Sequence, residues 1–388
     1  MTDIAYVELR QRFTDVFDRT PGGIWAAPGR VNLIGEHVDY NGGLVLPFAI
    51  EQRTYAAAAA RDDDVLRVRS MQLDGGLDTS IADLAPERAA AGATSWASYV
   101  AGVLWVLRED GHDVSGMDLL LDGRVPVGAG LSSSAALECS AAIAANDLCE
   151  LSLSKAALAR VAQRAENDYV GVPCGLMDQM ASMACTTGHA LLFDVRSEEI
   201  EQVPFDPAAE GLRVLIMDTR VKHSVGEGAY AQRRRSTEAA ATALGVSTLR
   251  EVPVGDLDDA LAKLDCEVVP RVRHVVAEIA RVQQAVEALR KPDWTSFGRL
   301  MTASHLSLRD DYEVSSEELD VAVDAALAAG ALGARMTGAG FGGSAIALIQ
   351  ADQVGAVSAA VEDAFAARGF AEPATLSATA SDGASRVA

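Results

Sequence analysis

A strand, a glycine turn and a long helix in immediate succession constrain this chain more than any other feature. Met117–Asp122 is an apolar run with the length of a buried strand, and the Ala-rich segment from about Ser132 to Leu148 has helical length. Between them stands Pro126-Val127-Gly128-Ala129-Gly130-Leu131-Ser132-Ser133-Ser134. Glycines let a backbone turn tightly and bring its N–H groups close to a ligand. A helix starting here directs free donors and partial positive charge at the turn. The serine hydroxyls add donors or reach a cation. Together these features make a phosphate cradle; the plainer alternative is a glycine turn with serine caps. No G-K-[ST] follows the glycines, so the turn is not a Walker A loop. No H-R-D and D-F-G set occurs in order, which excludes the protein-kinase fold.

A second glycine cluster, Gly338-Ala339-Gly340-Phe341-Gly342-Gly343, matches the dinucleotide fingerprint letter for letter. That fingerprint must open a helix. Here the apolar run Ala345–Ile349 follows and reads as a strand, so the glycines are assigned to close backbone packing beside the first turn. A third segment, Pro28 to Gly43, concentrates Arg30, Asn32, Glu36, His37, Asp39 and Asn41 between two apolar runs. Carboxylates, imidazole and amides suit the hydroxyls of a sugar, which both donate and accept. The alternative is a polar surface turn.

Length and charge narrow the classes further. With 388 residues, two domains are expected. Lys and Arg number 33 against 55 Asp and Glu, a formal charge of −22. That balance argues against nucleic-acid or anionic-membrane surfaces, which need clustered positive charge. A phosphate ligand would have to be held locally. The five cysteines, Cys139, Cys149, Cys174, Cys185 and Cys266, are odd in number and lack a C-x-x-C pair. They read as reduced core residues of a cytoplasmic protein. The first residues read as an amphipathic helix rather than a signal peptide, and no apolar run is long enough for a membrane span.

Along the chain, strands are expected at Ile24–Ala27, Leu44–Ile50, Thr54–Ala60, Val65–Ser70 and Ala190–Val195. Helices are expected at Ser95–Arg108 and Ser154–Val170, with a break at Val172–Gly175 and a restart near Met177. A boundary near Val203–Gly211 divides an N-terminal domain, 1–205, from a C-terminal one, 206–388. The second half opens with a strand, Leu212–Asp218. Helices follow at Tyr230–Leu244, Val272–Leu289, Trp294–Leu308 and Ser315–Ala329, the last with a capping box from Ser315 to Glu318. Strands near Ala334–Met336 and Ser344–Ile349 precede a final helix, Val354–Ala367. The Ser/Ala-rich end, Ser377–Ala388, is expected to fray.

Taken together, the three glycine-centred motifs resemble the galactokinase family, a branch of the small-metabolite kinases that includes homoserine, mevalonate and phosphomevalonate kinases. GRVNLIGEHVDYNGG resembles the galactokinase signature, PVGAGLSSSAAL the nucleotide loop and MTGAGFGGSAIAL the third glycine motif, in the family's order. The resemblance implies an α/β (α+β) fold. Its N-terminal domain has two layers, its C-terminal domain is ferredoxin-like, and the active site lies in the cleft between them. It implies ATP as co-substrate, Mg²⁺ as cofactor, and α-D-galactose 1-phosphate as product, the first step of galactose catabolism. A kinase for N-acetylgalactosamine or arabinose, or a non-catalytic galactose sensor, carries similar motifs. The expected partners are small molecules only, in a monomer or weak homo-oligomer.

The resemblance also implies residue roles. Asp178 matches the catalytic aspartate, and Arg30 the arginine beside it and the transferred phosphoryl group. Glu36, His37, Val38, Asp39, Gly175, Asp178 and Tyr230 match sugar-binding positions. Ser70, Gly128, Ala129, Gly130, Leu131, Ser132, Ser133 and Ser134 match nucleotide contacts, while Ser134 and Glu166 match ligands of Mg²⁺. Unaided, Glu166 reads as a solvated helix acid and Asp178 as an acid at a helix N-terminus, and the alternative for Tyr230 is packing at the start of a helix. His112, His189, His223, His274 and His305 lack metal-ligand spacing and read as ordinary surface or core residues.

Overall fold

Residues 3–86, 96–221 and 226–388 are described by a computed structural model of the chain. Met1 and Thr2 of the expected first helix, Ser95 and His223 lie outside the described residues.

The first helix, α1 (Asp3–Phe17), lies on a six-stranded sheet. The sheet's strands are β1 (Gly23–Asn32), β3 (Pro47–Ala60), β4 (Val65–Ser70), β5 (Leu77–Ser80), β6 (Met117–Gly123) and β13 (Ser385–Arg386), in the order β13-β1-β3-β6-β4-β5. Among the described residues, only β4 and β6 pair in parallel. Successive side chains of a strand point to opposite faces. Thus Ile24 and Ala26 meet Leu9, Phe13 and Phe17 of α1, whereas Trp25 and Ala27 face the main core. That core is roofed by α2 (Ala97–Glu109), α3 (Ser133–Leu148), α4 (Lys155–Arg164) and α5 (Met177–Ala184). The small strand β2 (Leu44–Val45) pairs with β7 (His189–Asp194), which pairs with β8 (Glu199–Pro204).

The second sheet contains β9 (Leu212–Asp218), β10 (Gly333–Thr337), β11 (Ser344–Gln350) and β12 (Ala374–Ala378). Its order, β10-β11-β9-β12, is antiparallel throughout, the arrangement of a ferredoxin-like sheet. Among the described residues, four helices of twelve or more residues lie between β9 and β10, with the short helix Leu257–Leu261 between the first two: α6 (Gly226–Leu244), α7 (Val269–Arg290), α8 (Trp294–Ser307) and α9 (Glu317–Ala328). A last helix, α10 (Val354–Arg368), packs on α9. The second glycine cluster is the hairpin between β10 and β11, as its following strand required.

Four expectations are corrected. The expected strand Leu44–Ile50 divides: Leu44–Val45 is β2 of the three-stranded sheet, while residues 47–50 run on through Glu51-Gln52-Arg53 into Thr54–Ala60 as the single strand β3, which breaks register with β1 between Ala49 and Arg53. The cap of α9 is Ser316, whose hydroxyl accepts from Leu319 N–H; Ser315 instead donates to Asp320 at 2.6 Å. The chain end does not fray. Val387 N–H donates to the Ile24 carbonyl, and Ala384 is fully buried. Finally, the cysteines are all free, but Cys266 is exposed rather than in the core.

Candidate active site

The register of β1 against β3 breaks between Pro28 and Arg30. Gly29 occupies that irregularity, and a Cβ there would stand 2.5 Å from the Leu131 carbonyl oxygen. Its absence lets the serine-rich turn lie directly on the strand, where Arg30 N–H donates to that carbonyl at 3.1 Å. The buried guanidinium of Arg30 then has fixed partners. Nη1 donates to the Gly130 carbonyl at 2.7 Å, and Nε and Nη2 donate to Asp178 Oδ1 and Oδ2 at 2.8 and 2.9 Å. This two-pronged pairing is the geometry that makes arginine specific for carboxylates. Asp178 sits in the first turn of α5 and also accepts from Ser132 Oγ at 2.6 Å. Ser132 takes φ 59°, a left-handed conformation rare for a residue with a side chain, as its hydroxyl turns to Asp178.

Two cavities meet at this ion pair. One, of about 310 Å³, is lined by Glu36, His37, Asp39, Gly175, Asp178 and Tyr230 among others. The second, of about 230 Å³, is lined by Gly128, Gly130, Leu131, Ser132, Ser133 and Ser134. Arg30, Asp178, Ala339 and Gly340 line both. Four expected site residues, Val38, Ala129, Ser70 and Glu166, line neither. Val38 is fully buried, and its carbonyl accepts from Asn41 and Gly43 N–H. The Ala129 carbonyl accepts from Ser344 Oγ at 2.6 Å, tying the serine turn to the β10–β11 hairpin. Ser70 Oγ accepts from Gln72 and Leu73 N–H at the end of β4.

The larger cavity has an acidic wall and an aromatic wall. Burial pushes Asp39 up to about 6, with the charges of Asp178 and Glu36 adding to the rise. Gly175 is pressed against it, since a Cβ there would fall 1.6 Å from Asp39 Oδ2. Glu36 is also raised by burial, in spite of its partners. It accepts from Asn32 Nδ2 at 2.6 Å and Gly338 N–H at 2.8 Å, and Arg335 Nη2 lies 2.8 Å away as its counter-ion. On the other side, His37 stacks obliquely on Tyr230 and Tyr312, with ring centroids 5.6 and 4.9 Å apart. Burial lowers its imidazole to about 3, so it is neutral at physiological pH.

The smaller cavity is backed by buried acids. The helix of α4 widens into a π-helical turn, Ala165–Val170, and this turn carries Glu166. Gln179 Nε2 donates to Glu166 Oε2 at 2.9 Å and to Glu138 Oε2 at 3.2 Å. Burial, then the Asp178 charge, pushes Glu166 up to about 7, opposed by a hydrogen bond with Ser134. Glu138 is likewise raised well above the usual carboxylate range, by burial and then the Glu166 charge. Glu138 Oε1 and Gln179 Oε1 are buried without a partner. Among the described residues, no group of three or more His, Cys, Asp or Glu is arranged to hold a metal alone. Mg²⁺ does not need one, because it takes one or two protein oxygens and completes its shell with water and phosphate. The Ser134 hydroxyl and Glu166 carboxylate fit that requirement, and a cation would draw Glu166 back to its charged form.

Several contributors were not singled out from sequence. Gln179 is Asp178's neighbour in the chain. Glu138 is a lone acid inside an Ala-rich helix, and Arg335 a lone cation inside an apolar strand; both patterns signal a buried charge that needs a partner. Tyr312 carries no local signal. Cys174, read as a core thiol, lines the larger cavity.

Family models match three stretches of the chain. A model described as the galactokinase galactose-binding signature matches residues 11–60. The N-terminal and C-terminal GHMP kinase domain models match residues 98–186 and 285–367. The chain is 53% identical over 380 residues to a galactokinase of Streptomyces coelicolor, covering 97% of each, and 45% identical to one of Bos taurus, covering 89% of this chain and 88% of that one. A crystal structure of Lactococcus lactis galactokinase complexed with galactose superposes with a TM-score of 0.93 at 33% identity, covering 99% of this chain and 100% of the other. A mevalonate kinase of Methanococcus jannaschii shares the fold, at a TM-score of 0.67 and 16% identity, over 92% of this chain and 98% of that one.

Proposed function

The chain belongs to the galactokinase family, and we propose that it transfers the γ-phosphoryl group of ATP to the anomeric hydroxyl of α-D-galactose, giving galactose 1-phosphate and ADP. One observation carries the residue assignment: the Arg30–Asp178 pair lines both cavities, so a sugar in one and a triphosphate in the other would meet there.

In this reading the serine turn and the α3 N-terminus hold the phosphates through N–H groups and hydroxyls. Glu36, Asp39, Gly175 and Tyr230 read the sugar hydroxyls from the larger cavity. Asp178 orients the anomeric hydroxyl and accepts its proton. Arg30 orients Asp178 by its paired donors and offsets charge building on the transferring group. Phosphoryl transition states are loose, and the hydroxyl proton leaves late, so positioning weighs more than basicity. Transfer is direct and in line, without a phospho-enzyme. Ser134 and Glu166 would hold Mg²⁺, which neutralises phosphate charge. The site is complete within one chain, which supports a monomer or weak homo-oligomer. The free thiols support a cytoplasmic location. Among the described residues no helix is long and apolar enough to cross a membrane.

ADP release measured over a panel of galactose, N-acetylgalactosamine and arabinose, with and without Mg²⁺, tests the reading. Turnover is expected with galactose and only with the cation. Preference for another sugar would reassign the substrate. Binding of galactose and ATP without ADP release would make the chain a sensor.

A further inference from the structure

The side chain of His37 spends both ring nitrogens on the protein. Nε2 lies 3.0 Å from the Ala339 carbonyl oxygen and Nδ1 2.8 Å from the Tyr40 hydroxyl, which is 2.8 Å from the Tyr312 hydroxyl. The partners fix the direction of every bond. A carbonyl only accepts, so Nε2 carries the hydrogen. The ring is buried among Tyr40, Tyr230 and Tyr312, with His274, Arg233 and Arg335 close enough to oppose a positive charge, and it stays neutral. A neutral imidazole has one N–H, so Nδ1 accepts from Tyr40. The single hydrogen of Tyr40 is then used, and its oxygen accepts from Tyr312.

We propose that Tyr312 and Tyr40 are positioning residues that lock His37 as its Nε2–H tautomer, so that His37 pins the loop common to both cavities against the sugar motif. The loop is gripped at neighbouring points from the same sources. Glu36, adjacent to His37, accepts from Gly338 N–H at 2.8 Å. Phe341 N–H donates to the Val314 carbonyl at 2.6 Å, and Val314 follows the π-helical turn Leu308–Tyr312. His37 itself sits at φ 61°, a strained conformation that such over-determined contacts sustain. Because Ala339 lines both cavities, releasing it disturbs the sugar and nucleotide ends together. Neither Tyr40 nor Tyr312 lines either cavity, so they act only through this chain. The identity of the two ligands rests on the kinase reading above; the hydrogen-bond chain does not.

Two measurements on the full chain test it. In ¹⁵N-histidine-labelled protein at neutral pH, His37, assigned by its loss in H37Q, is expected to show a pyrrole-type Nε2 and a pyridine-type Nδ1. Y40F should loosen the lock and draw both nitrogens toward a tautomer average, Nδ1 the more strongly. A protonated Nδ1 or an even tautomer mixture in the wild-type chain would overturn the proposal. In steady-state kinetics, Y40F is expected to raise KM for galactose and for ATP together, each about three- to tenfold, the worth of one buried neutral hydrogen bond. A rise confined to galactose would overturn it, because His37 would then be a sugar ligand alone. H37Q, whose amide nitrogen reaches the Nε2 position, should retain more activity than H37N; the reverse order counts against the proposal. If the wild-type chain left galactose unphosphorylated, the kinase reading would fail, while the tautomer pattern would still decide the relay.

Discussion

Replacing Asp178 with Asn keeps the side chain's shape and removes its charge. The carboxylate accepts three hydrogen bonds, from Arg30 Nε at 2.8 Å, Arg30 Nη2 at 2.9 Å and Ser132 Oγ at 2.6 Å. An amide has one acceptor oxygen, and its NH₂ group must face one of those donors. Removing one member of a fully buried ion pair costs about 3–5 kcal/mol. Here Arg30 is 5% exposed and Asp178 28%, so water softens the loss to about 1–3 kcal/mol of stability. The catalytic loss is larger. Proton acceptance and orientation of the hydroxyl are worth about 10²–10⁴ in kcat, or roughly 3–5 kcal/mol of barrier. The assay is ADP release at saturating galactose and ATP, with galactose affinity and thermal unfolding measured on the same sample. The expected variant folds, binds galactose within about tenfold of wild type, and has lost at least about 10² in kcat. A turnover rate within about threefold of wild type would refute both the proton-accepting and the positioning role.

Three further outcomes follow from the same contacts. Glu166 is raised to about 7 in the ligand-free protein, above its unfolded value, so its contribution to stability is present at low pH and disappears as pH rises through 7; E166Q should therefore unfold at higher temperature than wild type at pH 8, by up to about 3 kcal/mol, with the gap closing toward pH 4, and should bind Mg²⁺-nucleotide more weakly by calorimetry. Gly175→Ala drives a Cβ into Asp39 Oδ2 and should raise KM for galactose at least about tenfold while leaving KM for ATP within about threefold, read by steady-state kinetics. Arg335→Met strips the counter-ion from buried Glu36 and should cost about 3–5 kcal/mol in denaturant unfolding, because an unpaired buried carboxylate remains.

Legibility from sequence tracked the range of the interaction. The serine-rich turn announces itself because strand, glycines and helix lie within one short segment, and the strand after the second glycine cluster excluded a dinucleotide site by the same local logic. The continuity of β3 through Glu51-Gln52-Arg53 is hidden because hydropathy registers side chains, whereas an extended backbone crosses the register break there whatever their polarity. The π-helical turn holding Glu166 is invisible for a related reason: apolar spacing continues through Val170, and one extra residue in the turn leaves that spacing nearly unchanged. The union of Arg30 with Asp178 was available only through resemblance to a family. Arg335 inside an apolar strand signals the need for a partner, but neither its pairing with Glu36 nor that of Tyr312 with Tyr40 is legible, because local sequence does not say which distant residue answers. The terminal Ser/Ala-rich segment reads as unconstrained, yet it pairs with β1 because that strand's outer edge needs a neighbour.

A crystal structure with galactose, Mg²⁺ and an unreactive ATP analogue bound together would examine the meeting of the two cavities in one step. The anomeric oxygen is expected within about 3.2 Å of an Asp178 carboxylate oxygen, with the terminal phosphate beside Arg30 and the remaining phosphates on the serine turn. A sugar and a phosphate chain lodged apart, with neither touching the Arg30–Asp178 pair, would contradict it.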